Sequence, residues 1–188
     1  MLHRIEDLGD ERSRVTGRPE SESAPPVLAY FELAVDGDPD RYAARLRAVL
    51  DAVLEIAATE SFEGELPVDT IPAWFRGICR GGFPEAPAEP FAVVGRDRYA
   101  QRTGGAMPWD LQNWLDRFDP DLEVRGWAWW DLTASPEGSG GLRLWADTWG
   151  EPFFAWEDLR WLLHTAGART VADPALVKPG VWADEDSV

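Results

Sequence analysis

Between Val27 and Val35, apolar side chains recur at every second position (Val27, Ala29, Phe31, Leu33 and Val35), the alternation of a strand with one face in the core. The period then changes. Gly37-Asp38-Pro39 interrupts the strand, Asp38 being suited to cap a helix and Pro39 to its first turn, where no amide donor is required. Tyr42, Leu46, Val49, Leu50, Val53 and Ile56 follow at helical spacing and predict a helix to about Ala58. After a polar, turn-rich stretch over 60–69, Ile71, Trp74, Phe75 and Ile78 predict a short second helix that Gly81-Gly82 stops.

From Gly81 to Met107 the pattern is irregular, with Pro84, Pro87, Pro90, Gly95, Gly104 and Gly105, and only Phe91 to Val94 reads as a short strand. Long connections of this kind often carry function. Pro108 opens a third helix with Leu111, Trp114, Leu115 and Phe118 on one face, which ends at Asp119-Pro120. Leu122 to Ala134 and Gly141 to Trp149 are strand-like and joined by Ser135-Pro136-Glu137-Gly138-Ser139-Gly140, so an antiparallel hairpin is predicted over about 122–149. Trp156, Leu159, Leu162, Leu163 and Ala166 form a fourth helical face, with His164 near its negative end. Thr170 to Ala172 and Leu176-Val177 predict a short edge strand.

Strands at both ends of a helical middle argue for an α+β fold: a mixed or antiparallel sheet including a Trp-rich hairpin, packed against about four helices on one face. Residues 27–182 form the single expected domain. Residues 1–26, with Leu2, Ile5, Leu8 and Val15 scattered among charges, are expected to be a disordered tail, and 183–188 a frayed acidic one.

Composition narrows the partners. Among 188 residues, 34 acidic and 18 basic side chains give a formal charge of −16, which repels nucleic acid and anionic lipid. Neither nucleic acid nor membrane is an expected partner, and no stretch approaches a membrane span or the apolar core of a signal peptide. A lone cysteine, Cys79, allows no intrachain disulfide or Cys-based zinc site and suits a reducing cytoplasm. Lys178 is the only lysine and Asn113 the only asparagine, the skew of a GC-rich bacterial genome, so abundant arginine is not itself a functional signal.

Five of the eleven tryptophans lie in the proposed hairpin. If its strands pair at positions summing to 276, Trp127, Trp129 and Asp131 share a face with Trp145, Asp147 and Trp149, while Val124, Ala128, Trp130, Leu132, Leu142, Leu144 and Ala146 line the core side. Indoles around two carboxylates suit cations, sugars or a protein surface. Asp131 and Asp147 are candidates for a general acid and base, and His164 for a catalytic base; each also has a simpler structural reading. Arg76, Arg80, Arg96, Arg98 and Arg102 make 76–102 locally basic. Arg96, Arg98 and Arg102 are the candidate anion-binding residues, with pairing to nearby acids as the competing role. Cys79 reads as a half-buried, inert thiol. His3 and His164 have no neighbours at metal-ligand spacing, so no metal and no cofactor are expected.

These features favour a non-enzymatic role: an acidic, cytoplasmic protein-binding module, of the kind an immunity protein or antitoxin uses to occupy a basic partner. The alternative is a small-molecule-binding protein or hydrolase working in a Trp/Asp cleft on the hairpin. Self-association through the tryptophan face, giving a homo-oligomer, is the third expectation.

Overall fold

A computed structural model describes residues 5–81, 88–122, 124–136 and 140–188. His3 and part of the hairpin tip, Gly138 and Ser139, lie outside the described residues. In chain order the elements are α1 (Ile5–Thr16), β1 (Leu28–Val35), α2 (Pro39–Thr59), α3 (Ala73–Ile78), α4 (Pro90–Arg102), α5 (Leu111–Leu115), β2 (Ala128–Ala134), β3 (Gly141–Asp147), α6 (Glu157–Thr165), β4 (Ala168–Val171), β5 (Ala175–Val177) and α7 (Pro179–Ala183). The class is α+β.

The alternation in β1 places this strand at the centre of an antiparallel sheet ordered β2-β3-β1-β4. β4 pairs with β1 over Leu33 to Val35 and β5 pairs with it over Leu28 to Tyr30, so the two form one interrupted edge. Pro174, which lacks an amide donor, lies in the interruption.

Phe31, Leu33, Leu132, Leu142, Leu144 and Ala146 point from one sheet face into the main core. α2 lies in that core because its apolar residues repeat every three or four positions; Tyr42, Leu46, Val49, Leu50 and Val53 are all buried. Its start is fixed by the Asp38 side chain, which accepts from Asp40 N at 2.9 Å, followed by Pro39. Asp38→Ala is expected to lower stability by about 1 kcal/mol, to be read as a shift in the urea midpoint without a change in slope. No described helix is long and apolar enough to cross a membrane.

The first segment departs from the expected disorder. Residues 5–16 form α1, which packs on α2 and β2 with Leu8 and Val15 fully buried. Its anchor is polar: Glu11 accepts two hydrogen bonds from Arg125, at 2.8 and 2.7 Å, and one from Trp129 N at 2.7 Å. Few apolar side chains are needed when a buried ion pair 114 residues away holds the helix.

Residues 91–94, expected as a strand, lie in α4. Pro90 occupies its first turn, and of its buried residues Ala92, Gly95 and Tyr99 the small Gly95 lets it lie close to α6. At Gly95 a Cβ would come within 1.9 Å of the His164 carbonyl oxygen, so only glycine permits this approach. Strand β2 begins at Ala128 rather than Leu122.

The second sheet face is also covered, where helices on one face alone were expected. Leu28, Trp130 and Trp145 form a smaller cluster there, capped by Trp182 of α7. The final residues do not fray: Ala134 N donates to Asp186 O and Val188 N to Leu132 O, both at 3.0 Å, so 186–188 lie antiparallel along the outer side of β2. Glu185 accepts from Thr133 and pairs with Arg143, which also pairs with Glu32. An acidic tail thus docks on the arginine and hydroxyl that β2 and β3 present.

Candidate functional site

One extra residue dismantles the expected indole–carboxylate patch. From Asp131↔Trp145 to Ala134↔Leu142 the hairpin pairs at positions summing to 276, but a bulge between Trp129 and Asp131 sets Trp129 opposite Ala146 and Ala128 opposite Asp147. An added residue sends the side chains before it to the other face. Trp127 and Trp129 therefore enter the main core, their indole N–H groups donating to Asp158 at 3.1 Å and the Arg14 carbonyl at 3.2 Å. Trp145 keeps the predicted face yet is sealed beneath Trp182, and donates to Thr133 Oγ1 at 2.8 Å.

Asp131 is 2% exposed and serves as an anchor. Its Oδ2 accepts from Trp182 Nε1 at 2.8 Å and Ser187 Oγ at 2.7 Å, and its Oδ1 from Leu132 N at 2.8 Å. A carboxylate so occupied has no oxygen aimed at a substrate, and the proposed acid–base pair with Asp147 loses one member. Asp147 and Trp149 are half-buried and line a separate hollow of about 200 Å³ with Asp7, Asp10 and Trp130. Burial pushes Asp147 above the ordinary carboxylate value, opposed by the hydrogen bond from Trp149 N at 2.8 Å and by Arg14. That bond holds Trp149 at a φ of 53°, a left-handed conformation that a bulky side chain rarely adopts.

The surplus acidity gathers elsewhere. At the C-terminal end of α2, a groove of about 450 Å³ is lined by Glu60, Glu63, Asp119 and Asp121, with Phe62 and Pro120 as its apolar part. A second hollow of about 370 Å³ shares Thr59 and Glu60 and is also lined by Glu55 and Asp69, which pair with Arg12 and Arg76. Among the described residues, no Lys or Arg lines either one. Helix α2 has no basic residue in its last turn, so the negative end of its dipole reinforces the field. Nearby, burial and the carboxylates of Asp119 and Asp110 push Asp116 up. Leu122, 55% exposed, follows Asp121 directly. The hairpin drew attention away from this face; its sequence signal was the run of Glu and turn residues over 60–69 together with Asp119-Pro120-Asp121.

Most arginines are used internally. Arg12 pairs with Asp51 and Glu55, Arg117 with Asp158, Arg160 with Glu157 and Asp173, and Arg80 donates to the Pro108 carbonyl. Of the three anion-binding candidates, Arg96 turns to its neighbour Asp97. Arg98 and Arg102, one turn apart on α4, reach the same groove as His164, joined there by Arg169 of β4, which sequence reading did not single out. Cys79 is buried, and burial pushes its thiol up to about 12, leaving it protonated and unreactive.

Comparison with protein-family models, curated proteins and solved structures finds no match to this chain.

Proposed function

We propose that this chain is an acidic, cytoplasmic protein-binding module that occupies a basic partner, in the manner of an immunity- or antitoxin-type inhibitor. The observation that carries the reading is the groove at the end of α2, where Glu60, Glu63, Asp119 and Asp121 converge with no lining cation among the described residues. With most arginines tied to internal acids or carbonyls, the uncompensated charge of a −16 chain faces outward. A field of one sign steers an oppositely charged partner and rejects others by like-charge repulsion. The exposed Leu122 beside it supplies apolar contact area.

The test is retention of a basic protein from native lysate of the source organism on immobilised chain, followed by association kinetics with that protein. Reversing Glu60, Glu63 and Asp121 to lysine, all exposed, is expected to slow association by roughly tenfold or more at low salt and to flatten its salt dependence. The same association rate and salt slope in the triple variant would remove this face from the interaction.

A further inference from the structure

Phenylalanine is among the side chains most often fully buried, yet Phe153 is 93% exposed. Its backbone is held on both sides. Before it, Thr148 is fully buried; its carbonyl accepts from Glu151 N at 3.0 Å and its hydroxyl donates to the Glu151 carbonyl at 3.1 Å. The turn so closed passes through Trp149 and Gly150, left-handed at φ of 53° and 78°, a conformation that a bulky side chain keeps only where its surroundings fix it. After it, Phe154 packs edge-on against Phe31 of β1, with 6.3 Å between ring centroids. A ring carried on backbone already fixed costs less ordering to bind than one on a loose loop.

Phe153 does not stand alone. A Cβ at Gly126 would lie 2.9 Å from Phe154 Cβ and 3.0 Å from Ala155 N, and Trp127 Nε1 donates to Asp158 at 3.1 Å. The runs 124–127 and 153–158 therefore advance side by side in the same direction, which brings Val124 and Phe153 to the same end. Val124 is 38% exposed and Leu122 55%, and residues 119–121 carry the chain from there into the acidic groove at the end of α2. Carboxylates flank these apolar side chains: Asp119 and Asp121 precede Leu122, and Glu151 precedes Phe153. Among the described residues, no ion pair includes any of the three. Arg117, which donates to the Val124 carbonyl, is paired with Asp158. Exposed apolar surface rimmed by polar groups marks a docking face.

We propose, resting on the reading of a basic partner given above, that Phe153, supported by Leu122 and Val124, is the anchor of that interaction and enters an apolar pocket rimmed by arginine or lysine on the partner. A cation is attracted to the face of an aromatic ring and to the carboxylates beside it, so both features select the same surface. A second copy of the chain, or an anionic lipid surface, would instead meet a charge of −16 with like charge. The two parts of the face divide the work: the carboxylates speed encounter, and the ring, once sealed from water, slows release.

The test uses the full chain and the basic protein that it retains, purified and followed by surface plasmon resonance. Phe153→Ser, a change outside the core, keeps the parent urea midpoint. It is expected to raise the dissociation rate roughly tenfold or more while leaving the low-salt association rate within about twofold. Leu122→Ser should raise dissociation about threefold, and Phe153→Trp should keep it within about threefold of the parent. The lysine variant at Glu60, Glu63 and Asp121 should do the reverse, slowing association instead. Unchanged release in both serine variants, with the lysine variant still slow to associate, would overturn the anchor and leave the acidic face standing. An association rate indifferent to the lysine changes, or no basic protein retained, would overturn both. Sedimentation of the chain alone covers the other occupant: a dimer that Phe153→Ser dissolves would assign the patch to a second copy and overturn the proposal.

Discussion

Arg125→Ala is expected to destabilise the fold by about 3–5 kcal/mol, the cost of leaving a buried charge without its partner. Arg125 and Glu11 have side chains only 1% and 2% exposed, and they meet through two parallel hydrogen bonds. The guanidinium also lies over Phe118 at 4.4 Å and Trp127 at 5.1 Å, so truncation removes packing as well as charge. Glu11 would remain buried, keeping its hydrogen bond from Trp129 N. Urea denaturation reads the loss directly. The double variant Glu11→Leu, Arg125→Met should recover much of it, since two apolar groups of similar volume avoid the desolvation of both charges. A single variant within about 1 kcal/mol of the parent would show that α1 does not depend on this pair.

Asp131→Ala is expected to cost about 3 kcal/mol, because leaving a buried donor unsatisfied costs about 1–3 kcal/mol and two are orphaned at once. These are Trp182 Nε1 and Leu132 N. The loss has a location. With Trp182 released from its edge-on stack against Trp130, α7 loosens first, and the amides of Ala134 and Val188 should lose protection in hydrogen exchange before those of β1. Asp131→Asn, which keeps one carbonyl acceptor, should be milder. Unchanged stability and exchange in the alanine variant would contradict the anchoring role.

The elements that were legible in sequence are those that bury one regular face. β1 alternates and α2 repeats at helical spacing because each packs on a single core, and the Asp38-Pro39 boundary has a local chemical cause. The hairpin register could be read from Asp131 onward, where apolar and polar residues alternate. It could not be read through Trp127-Ala128-Trp129-Trp130, which is apolar at every position and so indifferent to a one-residue bulge. That bulge decided the fate of the predicted patch. α1 escaped notice because its anchor is a carboxylate paired across the chain, and α4 because Phe91-Ala92-Val93-Val94 has strand-like composition in a segment whose helical packing rests on small residues. For the sites, the acidic groove is a local compositional feature that composition alone does not rank above the tryptophans. The arginine groove needs α4, α6 and β4 brought together, and only Arg98 and Arg102 are near neighbours in sequence.

The strip formed by 186–188 has a bearing on how molecules of this protein behave toward one another. Were it to peel away, Leu132 and Ala134 would show a bare row of main-chain donors and acceptors, a ready template for an identical strand from another molecule. Arg47, bonded to the Val188 carbonyl, and Ser187, bonded to Asp131, act as latches against that event. While 186–188 stay docked, that template is already paired.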